Sequence, residues 1–159
     1  MLSVVVGLGA CLSPPDYPVE PVLTFVGLSK DTLLQAGPVL ARDTFFLRLS
    51  FTDGDGDIGN DQNSARSNVF VENKLTGDTL SPVLLSPIPE EGAQNGVSGE
   101  LTVRLFSTCC DFPDFTVLPC EPSDEYPLDT LLLEAYMIDR AGNESNRVDL
   151  PPIILRCDR

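Results

Sequence analysis

The residues best placed to do chemistry are Asp53-Gly54-Asp55-Gly56-Asp57-Ile58-Gly59-Asn60-Asp61. Four carboxylates fall within nine residues, and three glycines let the backbone fold back so that alternate side chains converge. Ca²⁺ takes six to eight oxygens, several of them anionic, and Asp is short enough to deliver them from a tight loop. The loop is not of the EF-hand kind. Asp53, Asp55 and Asp57 match its alternating acidic positions, but Ile58 stands where glycine is needed and Ser64 where a bidentate Glu is needed. The predicted ligands are Asp53, Asp55, Asp57 and Asp61, joined by Asp139 if the two loops emerge at the same end of the fold. Without a cation, so many carboxylates together repel one another and raise some pKa values. The alternative is a solvated turn in which Asp and Gly serve their ordinary turn roles.

Several other chemistries are excluded by what the chain lacks. With no histidine among 159 residues there is no Ser-His-Asp or Cys-His catalysis and no His-ligated zinc. With no tryptophan and three tyrosines, aromatic platforms for sugars or bases are scarce. Twenty-four acidic against ten basic residues give a net charge of −14, which repels nucleic acid and anionic headgroups and attracts divalent cations. No stretch approaches the ~20 apolar residues of a membrane-spanning helix. If the protein is a hydrolase, the carboxylates available for paired acid and base work include Glu90, Glu91 and Glu134. No spacing singles out a pair among them, and the expectation is a protein that is not an enzyme.

The elements that must position the acidic loop are strands. Residues 44–52 alternate, with Phe45, Leu47, Leu49 and Phe51 facing one way and Arg48, Ser50 and Thr52 the other. Similar stretches are predicted at 22–28, 69–74, 79–85, 100–106, 131–139, 145–150 and 153–156. The last of these follows Pro151-Pro152 and is expected at a sheet edge. Residues 30–42 are ambiguous, because Gly37-Pro38 breaks any helix starting at Asp31. Gly77 supplies the positive φ that a short hairpin loop wants, and 139–143 reads as a turn. Fourteen prolines and twelve glycines fit many turns and few helices. The predicted fold is all-β, an antiparallel sandwich of seven or eight strands of immunoglobulin or fibronectin type III kind in one domain, 21–159. A small closed barrel is the alternative.

The amino terminus carries a different signal. Residues 2–10 are apolar and end in Leu8-Gly9-Ala10-Cys11, which resembles the lipobox of bacterial lipoproteins, although the basic stretch that usually opens such a signal is absent from these residues. The resemblance implies that 1–10 is a signal-peptide remnant and that Cys11 carries lipid, several acyl chains giving stable attachment to a membrane. The alternative is a strand at 3–8 followed by an ordinary cysteine. Residues 11–20 hold three prolines, with a fourth at Pro21, and are expected to form a stiff, extended tether.

Five cysteines are awkward in an exported chain, since one is left over. With Cys11 lipidated, Cys109, Cys110, Cys120 and Cys157 remain and can pair in three ways. Adjacent Cys109 and Cys110 point to opposite faces if a strand runs through them, so one closes a local loop to Cys120 and the other ties down Cys157. The favoured pairing is Cys110–Cys120 with Cys109–Cys157. A Cys₄ zinc site is the competing reading, and the spacing fits it poorly.

Two further motifs carry a family likeness. The run 51–59, Phe-Thr-Asp-Gly-Asp-Gly-Asp-Ile-Gly, resembles a segment common in Bacteroidota lipoproteins, where it follows a strand of an immunoglobulin-like domain. The turn 139–143, Asp-Arg-Ala-Gly-Asn, resembles the Asp-x-Ala-Gly-Asn turn of bacterial immunoglobulin-like domains. The likeness implies a cell-envelope β-sandwich and no particular activity. The functional expectation is an outer-membrane lipoprotein serving as a non-enzymatic binding or accessory module. Its partner would be an outer-membrane protein complex or an extracellular glycan, its cation a structural Ca²⁺, and nucleic acid is not expected. A purely structural stalk domain is the third class considered.

Overall fold

The computed structural model describes residues 16–37, 42–60, 66–88, 96–113, 117–118 and 120–158. Among these residues there is no helix, and the class is all-β. Cys11 and the 1–10 segment lie outside them, as do Asp61, Glu90 and Glu91.

The described strands are β1 (Val22–Leu28), β2 (Thr32–Leu34), β3 (Thr44–Asp53), β4 (Val69–Asn73), β5 (Val97–Phe106), β6 (Leu128–Leu131), β7 (Leu133–Met137), β8 (Val148–Asp149) and β9 (Ile153–Arg156). They pair as β1-β3-β5, β2-β9-β6 and β4-β7-β8. Alternation sets the inward face of each strand. In β3 it buries Phe45, Leu47 and Leu49 completely; in β5 it buries Leu101, Val103 and Leu105. Opposite them lie Val69 and Val71 of β4, then Leu131, Leu133, Ala135 and Met137 of β6 and β7. All three sheets contribute to one core cluster. The second and third sheets run into one another, because Leu132 alone separates β6 from β7, and its carbonyl accepts from the Lys74 N–H just beyond β4.

Four expectations change. The 153–156 strand is not at an edge: β9 sits between β6, antiparallel, and β2, parallel. Pro151 and Pro152 precede the ladder, so the missing amides do not interrupt it. Residues 79–85 form no strand and touch β4 through two isolated bridges, Glu72 to Thr79 and Val69 to Val83. Pro82 lies between these contacts and has no amide to donate. The predicted strand at 131–139 is divided at Leu132, and β5 begins three residues earlier than predicted, at Val97.

The tether expectation also narrows. The Pro18 carbonyl accepts a hydrogen bond from the Gly54 N–H at 2.7 Å, so the end of the proline-rich segment is part of the folded body.

The solvent face of the third sheet is organised by Arg147. Glu72 and Glu134 stand directly opposite one another on β4 and β7, an arrangement that is unfavourable for like charges. The Arg147 guanidinium bridges both, reaches Glu144 as well, and lies 4.1 Å over the Tyr136 ring. The Tyr136 hydroxyl donates to Glu72. Glu134 is thereby tied into an ion-pair network. Because the arginine is partly exposed, screening limits its effect. Arg147→Met is expected to destabilise the fold by about 1–2 kcal/mol at low ionic strength and by less at high ionic strength, where the ion pairs are screened. Urea midpoints at the two salt concentrations check this.

Candidate cation site

Period-2 alternation along β3 carries past Phe51 to Asp53, which therefore points inward at the end of the sheet and is fully buried. A carboxylate in that position needs partners. One oxygen, Oδ2, accepts from the Asp57 N–H at 3.0 Å; the other, Oδ1, is buried with no hydrogen-bond partner. Such an atom costs free energy unless something compensates it. Burial, and after it the Asp55 charge, pushes the Asp53 pKa up to about 6.

The loop beyond Asp53 is held from three sides. Gly54 lies against Tyr17 and Pro18, where an added Cβ would sit 2.4 Å from the Tyr17 carbonyl oxygen. Ile58, the residue that departs from an EF-hand, is 1% exposed and pins the loop to the core. Its carbonyl accepts from the Ile88 N–H, and the Asn60 N–H donates to the Leu85 carbonyl. From the third side, the turn at 139–143 grips Asp57. The Ala141 N–H donates to Asp57 Oδ2 at 2.9 Å and the Arg140 N–H to the Asp57 carbonyl at 3.2 Å. Asp57 Oδ1 is likewise buried without a hydrogen-bond partner. Burial, and after it the Asp139 charge, raises the Asp57 pKa.

Asp53, Asp55 and Asp57 each offer an oxygen within 4.8 Å of the others, a cluster that could hold a metal ion. The two orphaned oxygens fit that use, since a cation satisfies buried anionic atoms that no donor reaches. Asp139 is brought to the same end of the fold but is placed differently from the prediction. Its Oδ1 accepts from the Gly142 and Asn143 N–H groups and its Oδ2 from the Asn143 side-chain amide, so both oxygens are committed to its own turn. Asp139 shapes the turn that holds Asp57 and is not one of the three clustered carboxylates.

The four cysteines supply no thiolate for zinc, because they pair as Cys109–Cys120 and Cys110–Cys157. This reverses the favoured connectivity. Continuing the β5 alternation beyond Phe106 turns Cys109 inward, but the strand ends there and the phase slips by one residue. Cys110 is therefore buried beside fully buried Cys157, while Cys109 is half-buried and meets Cys120.

Two polar residues important to this architecture carry no motif. Buried Gln35 accepts from the Cys110 N–H and donates to the carbonyls of Cys157 and Glu121. Buried Asn68 donates to the Ile138 carbonyl and accepts from the Leu85 N–H, joining the strands behind the cation loop. A polar side chain beside an apolar run is the only sequence signal either one gives.

The Asp53 shift has a sign that can be measured. Its folded-state pKa exceeds the ordinary 3.8, so the folded protein holds the proton more tightly than the unfolded chain does. The penalty is fully present above pH 6 and falls away as the pH drops towards 3.8. In chelator, lowering the pH from 7 to 5 is expected to add about 1 kcal/mol of stability through this group. The increment should be missing from Asp53→Asn. Chemical denaturation of both proteins at the two pH values makes the comparison.

Known family models, curated proteins and solved structures were all compared with the chain, and none of them matches it.

Proposed function

We propose that this protein is a non-enzymatic binding or accessory module of the cell envelope, a fibronectin type III-like sandwich held to the outer membrane through lipid on Cys11. Structural Ca²⁺ fixes its rim loops. The observation that carries the cation reading is the fully buried Asp53 oxygen with no hydrogen-bond partner, facing Asp55 and Asp57. The ligand set is all oxygen and comes from a tight loop, which suits Ca²⁺ better than softer metals. The sandwich reading is supported by the order β1-β3-β5 in one sheet and β4-β7-β8 in another, with 79–83 bridged to β4. The loops that the ion would hold include both motifs of the family likeness. An ion in this place organises a surface for an outer-membrane protein complex or an extracellular glycan and performs no reaction itself.

Melting curves with and without Ca²⁺ test the reading. At a hundredfold excess over Kd, ligand binding adds about 2.7 kcal/mol, which corresponds to roughly 5–10 °C for a chain of this size. Asp55→Ala with Asp57→Ala should abolish the rise. An unmodified protein whose melting temperature ignores Ca²⁺ would overturn the cation site. A Cys11→Ser variant that still incorporates a palmitate analogue would overturn the anchor.

A further inference from the structure

The first sheet has two edges, and they are treated differently. β1 carries a bulge between Phe25 and Gly27, and the Asn146 side chain occupies its edge as a peptide would. The Leu23 N–H donates to Asn146 Oδ1 and the Asn146 amide donates back to the Leu23 carbonyl. A bulge and a capped backbone are ordinary devices against unwanted strand pairing.

β5 has neither. It runs ten residues in unbroken register with β3, contains no proline or lysine, and has no strand on its other side among the described residues. An open edge of that length offers a row of backbone donors and acceptors to another strand. The outward side chains identify the partner. Ser98, Glu100, Thr102, Arg104 and Phe106 are all exposed along one face. An antiparallel copy whose two-fold axis passes through Thr102 places Glu100 opposite Arg104 of the second copy, twice over, and Thr102 opposite itself. Moving the axis to Glu100 or Arg104 sets like charges face to face, which is unfavourable. On the inward side the same register sets Leu101 against Val103, continuing the apolar layer of the sandwich. Glu100 already holds Arg48 of neighbouring β3 at 2.7 Å, so the new pairs extend an existing charge row.

We propose that β5 is a self-complementary edge and that two copies of this chain associate through it, joining β1-β3-β5 to its symmetry mate as one six-stranded sheet. Such an interface is isologous and closes as a dimer.

Sedimentation of the full chain carrying Cys11→Ser, which removes the unpaired thiol, tests this. The expected result is a reversible dimer that Glu100→Arg and Arg104→Glu each weaken about tenfold, since each sets two like-charge pairs across the axis. An equimolar mixture of the two variants should dimerise again, because arginine at 100 then faces glutamate at 104. Both positions are exposed, so only small shifts of the urea midpoint are expected, the larger in Glu100→Arg, which gives up its pair with Arg48. A parent chain that stays monomeric at high micromolar concentration overturns the proposal. So does a dimer indifferent to either substitution, or a mixture that fails to recover.

Discussion

Replacing Cys110 and Cys157 together by alanine is expected to cost the fold about 4 kcal/mol, the larger of the two disulfide losses. The bond spans 47 residues, and closing a loop of that length removes about 4 kcal/mol of unfolded-chain entropy in the chain-entropy model. The Cys109–Cys120 bond spans 11, for about 3 kcal/mol. Location widens the gap. Cys110 and Cys157 belong to the core cluster, so their loss also removes packing beside Gln35, whereas Cys109 is half-buried on the outer side. Urea denaturation of Cys110→Ala/Cys157→Ala beside Cys109→Ala/Cys120→Ala should rank the variants in that order. Equal losses would show that the long bond does not constrain the unfolded chain as its span implies.

Gly59→Ala should be nearly as damaging, with a loss of more than about 3 kcal/mol. Gly59 has φ +87°, a region that disfavours side chains, and a Cβ built there would lie 2.2 Å from the Ser86 carbonyl oxygen. The obstruction is backbone, so no rotamer change relieves it. Gly77 separates the two effects: its φ is +75° but nothing lies within 4 Å of an added Cβ. Gly77→Ala is expected to cost only about 1 kcal/mol. Gly59→Ala should also blunt the Ca²⁺ response, because displacement of 58–60 pulls Ile58 from the core and Asp57 from its place. Thermal melts of both variants with and without Ca²⁺ measure the two consequences together.

Long alternating runs made much of the core readable from residues alone. Phe45, Leu47 and Leu49 are fully buried, as the period of 44–52 predicts, and so are the inward residues of 131–137 apart from slight exposure at Leu131 and Leu133. Short elements gave no such signal. Three residues at Thr32–Leu34 cannot display a period, and their parallel pairing with β9 depends on a partner more than a hundred positions away. At 79–85 the apolar pattern was present, but Pro82 prevents a continuous ladder. The acidic loop stood out by composition, although its decisive property did not. That Asp53 is buried follows from carrying the β3 alternation one step past Phe51. That Ile58 anchors the loop follows only from tertiary packing. Asp139 shows the limit of proximity: the two loops do meet, yet short hydrogen bonds inside its own turn claim its carboxylate.

The docking of Tyr17 and Pro18 against Gly54 fixes which way the domain points. Cys11 precedes Tyr17 by six residues, a reach of at most ~20 Å when fully extended. With lipid on Cys11, as proposed, the cation rim is the pole nearest the membrane, and its leash is too short for the domain to turn over freely. The opposite pole lies a full β5 length away, roughly 30 Å for a ten-residue strand. There a cavity of about 600 Å³ opens between the Leu75-Thr76 turn and the chain around Phe112. Under that proposal the distal pole faces away from the membrane, while the rim loops that an ion would hold lie beside it, within reach of a partner embedded in or close to the same membrane.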